Sequence, residues 1–289
     1  MMYRWFVALV VAAIGHAAWD NVLHWMVVND PDASIFHMHW LRSLFLTICL
    51  WAFRTSQVRP SKSIRWWIQF SLLGFTIPTL LYTSCVAWTG YRIILGGQPF
   101  IPLLVAWSTH QEWNVMRCVA LIISLCGTLC IWWSAPWYQH DEELWAVWFA
   151  SLATVCHVFS LATWFSMLRD IREHTFAAIR YGSLINVLMM FVATIVWTPE
   201  HLKAAYMTRW DNWAIVLIAC ALASGCKFWV IAMAVDNIRL DSVAIFECVH
   251  PIATIATQVV QYGDFFEYSD IVAISCFVFG CILYPKQII

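Results

Sequence analysis

The chain has 289 residues, of which 62% are apolar and 11% charged, and its formal net charge is −1. A soluble domain of this length has no use for so much apolar surface, whereas a polytopic membrane protein does. The near-neutral charge gives no footing for nucleic-acid binding. Eleven cysteines without CxxC or Cys/His ligand spacing read as small apolar side chains rather than disulfides or metal ligands.

A membrane span needs about 20 mostly apolar residues. In chain order the qualifying segments are 5–28, 34–53, 65–89, 91–109 and 114–136, then 143–167, 176–197, 212–236, 240–262 and 269–286. His16, Asp20 and His24 interrupt the first, and no small-x-small site follows it, so it reads as a retained helix rather than a signal peptide. Pro31, Pro60, Pro136 and Pro199 punctuate the connections. The third and fourth spans must turn within Trp88-Thr89-Gly90-Tyr91-Arg92. Gly96-Gly97 before Gln98-Pro99 marks an irregular stretch of the fourth span, tolerated at membrane depth only under protein or in a water-filled cavity.

The two halves resemble each other. Ala12-Ala13-Ile14-Gly15-His16 leads the first, and Ala153-Thr154-Val155-Cys156-His157 leads the second. Gln98-Pro99 begins a run through Glu112 to Gly127, and His250-Pro251 begins one through Asp264 and Glu267 to Gly280. Whether Pro99 or Pro102 matches Pro251 stays open. The expected fold is an all-α integral membrane protein of ten transmembrane helices, in two inverted five-helix repeats over 1–138 and 139–289. An odd helix number inverts the second copy, as in transporters.

Positive charge sets the expected orientation. Arg4, Arg54, Arg59, Lys62, Arg65, Arg117, Arg169, Arg172, Arg180, Arg239 and Lys286 fall on one set of loops. The opposite set carries only Arg92, Lys203 and Arg209, with the acidic run Asp141-Glu142-Glu143. Both termini are therefore expected in the cytoplasm, in an inner or plasma membrane.

Gly15-His16-Ala17-Ala18-Trp19-Asp20-Asn21, Arg42, the run from Gln98-Pro99-Phe100-Ile101-Pro102 through Glu112 to Gly127, and its second copy from Pro251 to Gly280 carry a resemblance. The chain resembles the drug/metabolite transporter superfamily in its ten-helix, EamA-type branch. It departs at Asp20, where the usual motif runs Trp-Asn, and in the spacing of the second acidic turn. The resemblance implies a substrate site between the repeats, open to each side in turn. It does not give a substrate, since the superfamily moves amino acids, nucleotide sugars, amines and drugs.

Ionisable groups inside spans are costly and by default mark a pathway. His16, Asp20 and His24 share one face of the first helix, flanked by Trp19 and Asn21. The second helix offers His37, His39 and Arg42. An Asp20–Arg42 pair would neutralise both charges, either as a fixed bridge or as a proton-exchanging centre. Lys227 and Glu247 lie about ten residues, or ~15 Å of helix rise, on either side of the turn at 236–241, so they form a second expected pair. Glu247 shares a face with His250 and Pro251. Most of the twenty tryptophans fit interfacial belts, notably Trp66, Trp67, Trp132, Trp133, Trp137, Trp210 and Trp213. Trp19 and Trp164, each near its half's histidine, suit a cationic or aromatic substrate.

The candidate substrate-binding residues are thus His16, Trp19, Asp20, Asn21, Arg42, Gln98, His157, Trp164, Lys227, Glu247 and His250. The expected partners are a small polar or amphipathic metabolite, protons as coupling ion, and the lipid bilayer, with a monomer or dimer in the membrane and no cofactor or metal. Proton-coupled export is one mode, uncoupled uptake or facilitation the other. A non-transporting membrane receptor or scaffold is a further alternative, whose mark would be a partner-facing soluble loop; the longest loop is about a dozen residues. An enzyme is not expected, because His37-x-His39 is followed by no HExxH-type array, and no phosphate loop or nucleophile elbow occurs.

Overall fold

In a computed structural model of the protein, the described residues are 2–29, 35–53, 59–88, 97–108, 115–134, 144–171, 174–197, 210–262 and 268–283. All regular structure among them is helical. Helix α1 is Met2–Asn29 and α2 is Ile35–Ala52. Helix α3 runs through Ile64–Ser71, a π turn at Leu72–Thr76 and Ile77–Trp88. Helices α4 (Phe100–Ser108), α5 (Val115–Ser134), α6 (Leu144–Arg169), α7 (Thr175–Trp197) and α8 (Trp210–Asn237) follow. Helix α9 comprises Leu240–Ala244, a 3₁₀ turn at Ile245–Cys248 and Val249–Tyr262; α10 is Tyr268–Leu283. The expected segments match these helices within about three residues wherever the ends are described. In the fourth, residues 91–96 lie outside the described residues, and a helix begins at Phe100 after a turn at Gly97–Pro99 in which Phe100 N–H donates to the Gly97 carbonyl at 3.1 Å. Gly96 and the connection after Trp88 lie outside the described residues.

Among the described residues, four stretches are long and apolar enough to cross a membrane: Arg4–Leu23, Trp148–Arg169, Thr175–Val196 and Trp213–Asn237; Val115–Cys130, Ser242–Thr257 and Tyr268–Gly280 are shorter apolar helices. The outward side chains are apolar too, among them Val11, Leu129, Trp148, Leu152, Leu188 and Ile215, each more than 60% exposed. So many exposed large apolar side chains are compatible with a membrane protein. Several hydroxyls are satisfied inside their own helices: Ser43, Ser124, Thr154, Thr194, Ser224 and Ser275 each donate to the carbonyl four residues back.

The helix irregularities have local causes. Pro251 lacks an N–H and its ring crowds the carbonyl of Glu247, and α9 tightens to 3₁₀ immediately upstream. Pro78 follows the π turn of α3, where the donor to the Gly74 carbonyl is missing. The amides of Asn29 and Asn237 close the ends of α1 and α8 by donating to Trp25 and Met233 carbonyls at 2.7 Å. Ser63 caps α3, its hydroxyl accepting from Trp66 N–H.

The chain divides into two compact units, Met1–Leu80 with Asp170–Asn237, and Leu81–Arg169 with Ile238–Ile289. Each unit therefore takes helices from both halves of the sequence. In the first unit α1 packs on α8, and α2 packs on α7 and α8. Asn186 of α7 clasps its neighbours there, accepting from Thr76 Oγ1 at 2.8 Å and donating to Ser43 Oγ at 3.1 Å. Gly182 lets the Phe70 and Phe75 rings close on the α7 backbone, and Ser71 donates to its carbonyl. Trp67 and Trp213, expected in an outward belt, are instead buried, Trp213 among Leu23, Met38, Leu41 and Leu217. Both face inward on their helices, where apolar neighbours take up the ring.

In the second unit α4 packs on α6 and on the start of α9, with Ser108 and Ser166 hydroxyls 2.6 Å apart. Helix α5 packs along α10. A Cβ on Gly127 would lie 3.0 Å from the Ala273 carbonyl oxygen and from Cys276 Cβ. A Cβ on Gly280 would meet Ser124 Oγ and lie 3.0 Å from the Ala120 carbonyl oxygen. The two glycines are thus used reciprocally, each admitting the other's helix. Glu112, Asp264 and Glu267 lie outside the described residues. Leucine at Gly280 or Gly127 is expected to cost about 1–3 kcal/mol by overpacking, read as a lowered thermal unfolding midpoint in detergent. Gly15→Ala, whose Cβ would meet nothing within 4 Å, is expected to leave the midpoint unchanged or raise it.

Candidate functional site

The polar centre of the first unit is assembled by three helices. On α1, His16 and Asp20 are one turn apart and both buried, with His16 Nε2 at 3.3 Å from Asp20 Oδ2. From α2, Arg42 reaches the other carboxylate oxygen, its Nη1 at 3.3 Å from Asp20 Oδ1. The same guanidinium contacts His39 Nδ1 at 3.3 Å and donates from Nη2 to Ser224 Oγ of α8 at 3.1 Å. His16 Nδ1 lies 2.9 Å from that hydroxyl. The Cys220 thiol donates to Asp20 Oδ1 at 3.1 Å. Each carboxylate oxygen and each end of the imidazole is therefore engaged, which offsets the desolvation that burial imposes on the charges.

The expected pairing of Asp20 with Arg42 is present in this structure. Sequence reasoning missed Ser224 and Cys220. They carry no charge to draw notice, and the only signal is that Cys220, Ser224 and Lys227 recur at i, i+4 and i+7 on one face of α8. Asn21 and Lys227 are buried in the same unit. Trp19 packs against the apolar cluster around Leu23, Leu41 and Leu217. The side chain of His24 lies outside the described residues.

Protons in this network can be arranged in two ways. With the Ser224 hydroxyl donating to the Cys220 carbonyl at 2.8 Å, its lone pairs accept from Arg42 and from His16 Nδ1–H. His16 then needs a second proton, on Nε2, to face the carboxylate favourably, and the ring is an imidazolium. If the hydroxyl turns toward His16 Nδ1 instead, a neutral ring still donates from Nε2 to Asp20. One hydroxyl rotation thus accommodates the gain or loss of a proton without moving a helix.

The remaining candidates lie in the second unit, all buried: Gln98, His157, Trp164, Glu247 and His250. Gln98 sits in the turn before α4, and its Oε1 has no hydrogen-bond partner among the described residues. Glu247 lies in the 3₁₀ turn that Pro251 imposes on α9. His250 stands beside Tyr82, ring centroids 6.2 Å apart. Trp164 is enclosed, with Phe165 edge-on at 5.2 Å. Lys227 and Glu247 belong to different units. Among the described residues no group of three His, Cys, Asp or Glu side chains is placed to hold a metal ion.

No protein-family model and no curated protein matches this sequence. A solved structure described as "Crystal structure of protein" is similar in fold, with a TM-score of 0.75 at 11% identity over 99% of this chain and 98% of the other. At that identity the likeness concerns the fold alone.

Removing one charge of the Asp20–Arg42 pair leaves the other buried without its counter-ion. Asp20→Asn is expected to destabilise the protein by about 3–5 kcal/mol, measured by denaturant unfolding in detergent. Asp20→Asn with Arg42→Gln together should cost clearly less than the sum of the two single changes.

Proposed function

We propose that the chain is a secondary transporter of the inner or plasma membrane, built from two inverted five-helix repeats with both termini cytoplasmic. It moves a small polar or amphipathic metabolite, such as an amino acid, an amine or a drug-like compound, by alternating access. The observation that carries this reading is the His16–Asp20–Arg42–Ser224 network set into a largely apolar helical bundle. Ionisable groups at such depth are expensive and are retained where ions or substrates pass. The pairing of α2 with α7, and of α5 with α10, supports the repeat, because each pair joins corresponding helices of the two halves. The reciprocal use of Gly127 and Gly280 supports it further, as does the resemblance to the drug/metabolite transporter superfamily.

In this reading the α1–α2–α8 network is the coupling centre. Its two proton arrangements differ by one charge, and a substrate or proton entering beside Asp20 changes which is favoured. Gln98, with its unengaged carbonyl oxygen, is a substrate acceptor in the second unit, for which N–H groups of an amine or amino acid are the complement. Lys227 of the first unit and Glu247 of the second are further buried ionisable residues that substrate engages during the cycle.

The test is flux in proteoliposomes. A panel of amino acids, polyamines and quaternary ammonium compounds is first screened for stabilisation of the purified protein. Saturable uptake of a stabilising compound, accelerated by a proton gradient, is expected. Asp20→Asn and His16→Gln should abolish the acceleration while leaving exchange at equal pH. Flux that never saturates would exclude a carrier, and unaltered gradient dependence in both variants would remove the coupling role.

A further inference from the structure

An apolar groove of about 680 Å³ runs along the outer side of α1 and α8 in the first unit. Val7, Val11 and Gly15 form one wall and Cys226, Trp229 and Val230 the other, with Arg4 at one end. Gly15 marks the far end, where a Cβ would meet nothing within 4 Å. We infer that this groove holds one acyl chain of an anionic phospholipid whose phosphate pairs with Arg4. The inference rests on the membrane reading above, and is independent of what the protein transports.

The dimensions fit a single leaflet. From Arg4 to Gly15 α1 rises ~17 Å, and half of a hydrocarbon core is ~15 Å. The groove is therefore as long as one acyl chain and has its only charge where a headgroup lies. Arg4 is exposed and has no hydrogen bond or ion pair among the described residues.

The surroundings select the sign of the headgroup. Trp229 of the groove wall stacks on Phe53, centroids 6.4 Å apart, and Phe53 meets Phe176 edge-on at the start of α7. This places the Arg4 end with the ends of α2, α3 and α7 that carry Arg59, Lys62, Arg65 and Arg180. Two of them lie against aromatic faces: Arg180 is 4.3 Å from the Trp51 centroid, and Arg59 is 5.0 Å from both Trp67 and Tyr181. The described acids of the unit beside these ends are Asp170 and Asp236, so the five cations Arg4, Arg59, Lys62, Arg65 and Arg180 outnumber them and a phosphate is the complement. A second copy docked here about a two-fold axis along the membrane normal would instead bring like charges together.

Alkaline carbonate extraction of membranes, followed by native mass spectrometry of the full-length protein with equal phosphatidylglycerol and phosphatidylcholine, tests the inference. Wild type should stay in the membrane and retain one phosphatidylglycerol in preference to phosphatidylcholine. Arg4→Gln should lower that preference about fivefold. Gly15→Phe should remove the retained lipid of either kind while unfolding at the wild-type temperature. If Gly15→Phe fails to fold, the exposed Arg4→Gln decides alone. Release by carbonate would overturn both the membrane reading and the lipid site. Membrane retention with equal occupancy by the two lipids, an unchanged preference in Arg4→Gln, or a dimer covering the groove would overturn the lipid site only.

Discussion

The Asp20 carboxylate lies where α1, α2 and α8 meet, and everything polar nearby is arranged around it. An unpaired carboxylate at that depth would cost several kcal/mol, so Arg42, His16 and Cys220 close on it and Ser224 joins two of them. This constraint fixes the rotation of three helices at once. Helix α1 must turn His16 and Asp20 inward, which leaves Val7, Val11 and Ile14 exposed on its opposite side. Helix α8 must show Cys220 and Ser224 to α1, and Gly225 then faces Leu46 and Cys49 of α2. Register along these helices is therefore set by a handful of polar contacts, whereas apolar contacts alone would tolerate sliding.

The second unit uses a different device. Along α5 and α10 the determinant is the absence of side chains, at Gly127 and Gly280, which brings one helix onto the backbone of the other. Where apolar surroundings provide no hydrophobic drive between helices, close packing of this kind and hydrogen bonds such as those of Asn186 take its place. Prolines act in the opposite sense. Pro78 and Pro251 loosen or tighten the turn before them and leave backbone groups beside Gly74 and Glu247 for other partners.

Helix positions were legible because the apolar runs are long and their interruptions are proline or charge. The Asp20–Arg42 pair was legible for the same reason, since two opposite charges in an apolar span have few other ways to be tolerated. Ser224 and Cys220 were not legible: serine and cysteine in an apolar helix look alike whether they bond within the helix or reach across it. The inward burial of Trp67 and Trp213 was hidden as well. A tryptophan near a helix end suits a membrane interface and a packed core equally, and only the rotation of the helix decides. The grouping into two compact units was also hidden, because it depends on contacts between helices far apart in the sequence.

That interleaving has a consequence for synthesis. Arg42 leaves the ribosome shortly after Asp20, but Ser224 follows Arg42 by 182 residues. At common elongation rates the interval is about ten to forty seconds. During it α1 and α2 must shelter their charges with each other alone, while most of the second unit's helices are already made. The first unit thus begins earliest and closes late, and its polar centre is the latch that records its completion.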